Sequence, residues 1–166
     1  NLVEGDENGV ADVFVRDVVG KTTTRVSVTN KWNQGFSDSY GVAITPDGRY
    51  IVFLTVSSLV ESDTNGTDDV YVRDMLNNTT ERVSIWSKWQ ELQNTAEIPY
   101  KITFDSENSP ISKNGRYIVF STTAENLVDS DKNWLSDIFV RDTIEWTTER
   151  INIWSKWEEA NGNSQF

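Results

Sequence analysis

The residues best suited to bind an ion form a set of aspartates and asparagines that recurs three times at one spacing, Asp-x-Asn-x-x-x-Asp. The three copies are Asp6, Asn8 and Asp12; Asp63, Asn65 and Asp69; and Asp131, Asn133 and Asp137. Alternating oxygen ligands in a short loop are what a hard cation such as calcium requires. The spacing therefore makes each copy a candidate calcium site, with calcium as the one cofactor that the sequence suggests.

A structural role explains the same residues equally directly. Asp and Asn side chains shape turns by bonding to the nearby backbone, and the last Asp of each copy can anchor the start of a strand. Trp134 stands in the third copy where the other two have glycine, which weakens a metal site there. Both interpretations of the repeated loop stay open at this point.

A second candidate site consists of repeated tryptophans, each of which follows a lysine after a predicted strand. The equivalent positions are Trp32, Trp89 and Trp157, and Trp86 and Trp154 add a second ring in two copies. A loop tryptophan can stack on a sugar ring, whose C–H groups pack against the apolar face. It can equally pack between neighbouring elements or contact a protein partner. These are the candidate ligand-binding residues.

Composition narrows the classes of function. The 166 residues carry a net charge of −11 and contain neither histidine nor cysteine. So acidic a chain repels phosphate backbones and anionic lipids, so we expect no nucleic-acid partner and no membrane insertion. Without histidine or cysteine there is no Ser-His-Asp triad and no thiolate nucleophile. Because no opposed pair of carboxylates is evident either, we expect no catalytic residues and no enzyme.

The elements that position these residues are repeated as well. The chain contains "DVFVRD" at 12–17, "DVYVRD" at 69–74 and "DIFVRD" at 137–142, and "GRYIVF" occurs at 48–53 and 115–120. The apolar residues of "GRYIVF" fall on both faces of a strand, which is typical of a strand covered on two sides. Turn sequences precede it, with a glycine suited to positive φ. Four short strands per unit predict an all-β fold built of propeller blades.

One cation recurs inside the repeated sextet. Arg16, Arg73 and Arg141 each lie in the middle of a predicted strand and are each followed by Asp. An arginine buried between sheets needs carboxylate or carbonyl partners. Its repetition predicts a structural network between neighbouring units.

The longer motif resembles a known family. The run "DGRYIVF", then "NLV-x-x-D-x-N-G", "DVFVRD" and "T-x-RVS", is similar to the TolB-like, WD-repeat-like family of β-propeller blades, and the similarity extends over nearly the whole chain. The resemblance implies a ring of six to eight blades. It implies no single function, since propellers of this family serve as docking platforms, capping domains and ligand binders.

The blade count departs from a closed ring. We predict a partial blade at 1–31 that holds third and fourth strands, full blades at 32–88 and 89–157, a loop insertion at 90–108, and a tail at 158–166 toward a further blade. These ten strands make about two and a half blades. We therefore expect either a piece of a longer propeller or closure by other chains, since a bare blade edge favours aggregation.

Together these observations predict a non-enzymatic binding or assembly module that acts outside the cell or in the periplasm. Its expected partners are a protein or the remaining blades of the propeller. A carbohydrate-binding propeller that uses the repeated tryptophans is the alternative.

Overall fold

The computed structural model describes residues 2–87, 102–104, 109–129, 131–133, 135–153, 162 and 164. These residues form ten β-strands and no helix, so the all-β prediction is confirmed. The strands are β1 (Phe14–Asp17), β2 (Thr22–Arg25), β3 (Ser39–Ile44), β4 (Tyr50–Thr55), β5 (Asp69–Asp74), β6 (Thr79–Arg82), β7 (Ile102–Thr103), β8 (Tyr117–Thr122), β9 (Asp137–Asp142) and β10 (Thr147–Arg150). Within the described part of the chain, nothing forms an apolar helix of membrane-spanning length.

The strands group into one two-stranded and two four-stranded antiparallel sheets. Their orders are β1-β2, β3-β4-β5-β6 and β10-β9-β8-β7. The two, four and four strands are the grouping that the repeats predict. An arrangement of these sheets as blades around one axis stays a prediction.

The chain divides into two compact units, Asn1–Arg82 and Val83–Phe166. The first contains the two-stranded sheet and one four-stranded sheet, and the second contains the other four-stranded sheet. The domain boundaries predicted from the repeats, after residues 31, 88 and 157, stay predictions.

The core of the first unit forms where the two-faced "GRYIVF" pattern predicts burial. Val52 and Phe53 are neighbours in β4, so they point to opposite faces, and both are fully buried. Phe53 stacks against Tyr71 of β5 with ring centroids 5.7 Å apart. The cluster around them also includes Val13 and Val26, which flank β1 and β2. The two-stranded sheet therefore shares its core with the first four-stranded sheet.

The second unit repeats this core, with one departure from the prediction. Phe120 of β8 and Phe139 of β9 are fully buried, and their ring centroids are 6.1 Å apart. Strand β7 (Ile102–Thr103) lies inside the stretch 90–108 that we predicted to be a loop, so the prediction is wrong at these two residues. Ile102 is buried because it pairs with Thr122 of β8, an interaction that no local pattern around Ile102 announces. The rest of the predicted insertion, apart from residue 104, lies outside the described residues.

Candidate functional site

The aspartates of the second repeated loop face an arginine from the last strand of the same repeat. In Asp63 and Asp69, one carboxylate oxygen each lies 3.1 Å and 3.4 Å from Nη1 of Arg82. All three side chains are almost completely buried, with exposures of 0% for both aspartates and 2% for Arg82. Arg82 also donates from Nη2 to the carbonyl oxygen of Ser62 at 2.8 Å. We call this arrangement the arginine clamp.

The clamp occurs in all three repeats. Arg25 lies 3.2 Å from Asp6 and 3.3 Å from Asp12. Arg150 lies 3.4 Å from Asp131 and 3.2 Å from Asp137. The sequence analysis missed these arginines, although a signal was present. Each one follows the last aspartate of its loop by thirteen residues, at Arg25, Arg82 and Arg150.

The asparagines of the loops make turns and hold the last aspartate. Asn65 accepts a bond from the backbone N–H of Thr67 at 3.1 Å and donates from its amide to Asp69 at 2.9 Å. Asn133 makes the same two bonds, with Leu135 at 2.9 Å and Asp137 at 3.2 Å. These contacts are the structural role that the sequence left open. Among the described residues no cluster of three acidic side chains is arranged to hold a metal, and calcium at the loops stays a prediction.

Tyr71 gives the second clamp a member that the other two lack. Its hydroxyl donates to Asp63 and accepts from the backbone N–H of Leu59 at 3.4 Å. Burial raises the pKa of Tyr71, and the bond to the Asp63 carboxylate raises it further. Phenylalanine occupies the equivalent positions of the other repeats, Phe14 and Phe139. The hydroxyl is therefore a specific addition to this one site.

The second repeated arginine joins β5 and β6 to the segment that follows β2. Nη1 of Arg73 donates to Oγ1 of Thr80 at 3.0 Å, and that hydroxyl donates to the carbonyl oxygen of Val28 at 2.6 Å. The backbone N–H of Thr80 donates to Oδ1 of Asn30 at 2.5 Å. The guanidinium of Arg73 lies over the ring of Trp32, 4.5 Å from its centroid. Arg73 is fully buried by these contacts.

The second unit repeats the same chain of bonds. Arg141 donates to Thr148 at 2.9 Å, and the hydroxyl of Thr148 donates to the carbonyl oxygen of Ile85 at 2.6 Å. The backbone N–H of Thr148 donates to Oγ of Ser87 at 2.8 Å. Arg141 is fully buried as well. The structural role that we predicted for the repeated arginines therefore matches the contacts within each unit, although their main partner is a threonine instead of a carboxylate.

The predicted ligand-binding tryptophans are only partly within the described chain. Trp32 adopts a positive φ of 64° and remains 47% exposed, with one ring face against Arg73. Trp86 is half-buried. Trp89, Trp154 and Trp157 lie outside the described residues. The structure brings none of the other four rings onto Trp32 within the part it describes.

A cleft of about 740 Å³ opens in the first unit beside the Trp32 loop. Two stretches line it, Thr29–Asn33 without Trp32 and Ser58–Asp63. Lys31 and Glu61 lie at its rim with their charged atoms 4.0 Å apart, and both side chains are exposed. The cleft thus joins the loop of the predicted ligand-binding tryptophan to the loop of the arginine clamp.

The aspartates that follow the buried arginines pair with a different arginine. Asp142 accepts two bonds from Arg116, at 2.9 Å from Nε and 2.7 Å from Nη2. These bonds lower the pKa of Asp142 to about 2, although burial opposes the shift. Asp74 pairs in the same way with Arg49 at 2.8 Å. These pairs tie the start of the "GRYIVF" strand to the end of its neighbour.

We expect the Asp142–Arg116 pair to make stability dependent on acid. The folded pKa of about 2 lies below the ordinary value of 3.8, so ionised Asp142 stabilises the fold fully above about pH 4, and this contribution is lost as the pH falls toward 2. Arg116→Ala should therefore lower the free energy of unfolding at neutral pH, and its difference from the parent chain should shrink between pH 4 and pH 2. Urea unfolding at a series of pH values measures this. Lys113→Ala, in the same turn, is the control, and a pH-independent difference for Arg116→Ala would contradict the assignment.

Comparisons with known proteins find one solved structure of interest and no family. No protein-family profile matches the sequence, and no curated protein matches it. The crystal structure of TolB from Acinetobacter baumannii is similar with 14% identity and a TM-score of 0.44, over 89% of this chain and 27% of that one. The chain thus spans about a quarter of the length of that TolB structure. At this level of similarity, membership of the TolB-like family stays a prediction.

Proposed function

We propose that the chain is a non-enzymatic binding and assembly module of the β-propeller type whose partner is a protein. The observation that carries the proposal is the use of its charged groups. The arginines and aspartates of each repeat bind one another or a neighbouring segment of the chain, in the clamps and in the Arg73 and Arg141 contacts. Charges used in this way build a scaffold, and they leave the loops to make external contacts.

The cleft in the first unit is the proposed partner surface. Phe36 is 68% exposed, and its backbone N–H donates to Oγ of Ser57 at 3.0 Å, which places it next to the cleft-lining Ser58. Exposed aromatic side chains beside a groove with a charged rim are typical of protein interfaces. The opposite charges of Lys31 and Glu61 would orient a partner of mixed charge, which suits a protein better than an anionic polymer.

Partner capture tests this proposal. The immobilised chain is exposed to an extract of the cells that produce it, and bound proteins are identified by mass spectrometry. We expect Phe36→Ser to lose a protein that the parent chain retains. Ile144→Ser is the matched control, because Ile144 is a similarly exposed apolar residue, at 62%, in the second unit. Equal capture by both variants, or hydrolytic activity in the purified chain, would contradict the proposal.

We place this module outside the cell or in the periplasm. The resemblance of the repeats to TolB-like blades supports this location. Cell fractionation with an antibody against the chain tests it, and recovery with cytoplasmic markers alone would contradict it.

Carbohydrate binding is the second candidate function, and the observation that favours it is Trp32. Its ring is supported on one face by Arg73 and is 47% exposed, which is the disposition of a ring that stacks on a sugar. Calorimetric titration with a broad panel of saccharides tests this candidate. Binding that Trp32→Ala abolishes, without a change in melting temperature, supports it. No heat with any saccharide contradicts it.

Calcium at the repeated loops stays a prediction with a direct test. A calcium ion would have to displace the guanidinium that lies within 3.4 Å of the Asp63 and Asp69 carboxylates. If it binds, the melting temperature rises with added calcium and falls with chelator. An unchanged melting temperature would leave the aspartates as partners of the clamp arginines.

A further inference from the structure

Each repeat contains both halves of one contact. We call one half the receiving pair, an arginine whose Nη1 donates to a threonine hydroxyl. The three receiving pairs are Arg16–Thr23 at 2.8 Å, Arg73–Thr80 at 3.0 Å and Arg141–Thr148 at 2.9 Å. We call the other half the exit segment, the eight residues from the clamp arginine to the Lys-Trp tryptophan. The three exit segments are "RVSVTNKW" at 25–32, "RVSIWSKW" at 82–89 and "RINIWSKW" at 150–157.

Two of the three pairs are matched inside the chain. The first exit segment binds Arg73–Thr80 through the carbonyl of Val28, and the second binds Arg141–Thr148 through the carbonyl of Ile85. Both contacts follow one rule, in which each exit segment binds the receiving pair of the next repeat. Within these 166 residues the first receiving pair and the third exit segment are then left without a counterpart.

Exposure shows the consequence at the first receiving pair. Arg73 and Arg141 are fully buried, whereas Arg16 is exposed and Thr23 is only half-buried. The hydrogen bond between Arg16 and Thr23 is already formed, so the geometry that receives an exit segment exists before anything binds. A preformed site binds with less loss of conformational entropy than one that must be ordered.

We propose that the Arg16–Thr23 pair binds the third exit segment of a second copy of this chain, so that copies associate head to tail. The inference rests on the assembly role proposed above. By the pattern of the two matched contacts, the hydroxyl of Thr23 donates to the backbone carbonyl at Ile153, and the guanidinium of Arg16 stacks on the ring of Trp157. Stacking of a cation on an indole and a hydrogen bond to a carbonyl are both favourable once water is excluded.

Such a contact joins different surfaces of the two copies. It is therefore heterologous, and it either closes into a ring or continues as an open chain. Association is expected to depend on concentration and to proceed beyond the dimer, which separates this contact from a two-fold dimer that uses one surface twice.

Sedimentation velocity over a wide range of concentrations tests the proposal. We expect the parent chain to form dimers and larger species. The head variant, Arg16→Ala with Thr23→Val, and the tail variant, Trp157→Ala, should each weaken association at least ten-fold. Mixed together, they should restore a single dimer and nothing larger, because one keeps an intact tail and the other an intact head. Lys113→Ala, which removes one positive charge from an exposed turn, should associate like the parent chain.

Two results would overturn the proposal. One is a parent chain that stays monomeric at all concentrations, and the other is a pair of variants that associate like the parent or fail to complement each other. Near-ultraviolet circular dichroism checks the fold of each variant, and Thr23→Val alone replaces the head variant if Arg16→Ala unfolds. Capture of a protein through Phe36 is measured separately, so a failure of head-to-tail association leaves the proposed partner surface standing.

Discussion

Arg82→Ala is expected to lower the free energy of unfolding by about 3–5 kcal/mol, because it leaves buried carboxylates without their counter-charge. Asp63 and Asp69 have fully buried side chains, and Arg82 lies within 3.4 Å of both. Water cannot reach the two carboxylates to replace the guanidinium, so they must either stay ionised in a poorly polar site or take up protons. Urea unfolding at neutral pH measures the change.

The first repeat provides the matched control for this experiment. Arg25 makes the equivalent clamp with Asp6 and Asp12, but its side chain is 10% exposed and that of Asp6 is 9% exposed. We therefore expect Arg25→Ala to be less destabilising than Arg82→Ala, since partial hydration compensates the stranded carboxylates. Combining Arg82→Ala with Asp69→Asn should recover part of the loss. A cost below 1 kcal/mol for Arg82→Ala would show that the clamp contributes little to stability.

Tyr71→Phe is the substitution with the second largest expected effect, a loss of about 1.5–3 kcal/mol. The hydroxyl of Tyr71 donates to the ionised Asp63, and hydrogen bonds to charged groups contribute more than neutral ones. Its removal also deprives the backbone N–H of Leu59 of an acceptor. The ring itself is unchanged, so its stacking against Phe53 is kept and the loss reports the hydroxyl alone.

Tyr117→Phe is the control for that substitution. Tyr117 is 43% exposed, and water can replace any bond that its hydroxyl makes, so we expect a change within about 0.5 kcal/mol. Phenylalanine at the equivalent positions 14 and 139 shows that the repeat tolerates loss of the hydroxyl. If Tyr71→Phe were as neutral as Tyr117→Phe, the Asp63 carboxylate would have to be satisfied fully by Arg82.

Much of the fold could be predicted from the sequence because its signals are local. The glycines of the "PDG" and "KNG" turns, Gly48 and Gly115, adopt φ of 73° and 75° as the turn chemistry requires. The apolar residues on both faces of "GRYIVF" predict a buried strand, and Val52 and Phe53 are both fully buried. Strand ends were less accessible. The "ERVSI" stretch reads as a half-exposed strand, yet β6 stops at Arg82, and Val83 and Ile85 are buried.

The candidate site could be predicted only in part, because its charges meet across strands. The sequence points to Asp63, Asn65 and Asp69 as a cluster, but the cation that faces them comes from the neighbouring strand. Antiparallel pairing sets Tyr71 opposite Arg82, so Arg82 lies two residues from Asp69 along β5. A diagonal contact of this kind is set by strand register, which spacing along the chain does not reveal.

The sequence by itself determined what recurs in this protein: the strands, the turns between them, the asparagine turns and the acidic loops. Each of these depends on a residue and its close neighbours along the chain, so three copies of the motif produce three copies of the local structure. Only the tertiary structure decided which of the repeated groups are satisfied. Arg16, Arg73 and Arg141 stand in the same motif, yet Arg73 and Arg141 are buried and Arg16 is exposed. The difference arises because burial depends on whether an exit segment from another repeat covers the site, and the motif around each arginine is the same whether or not it is covered.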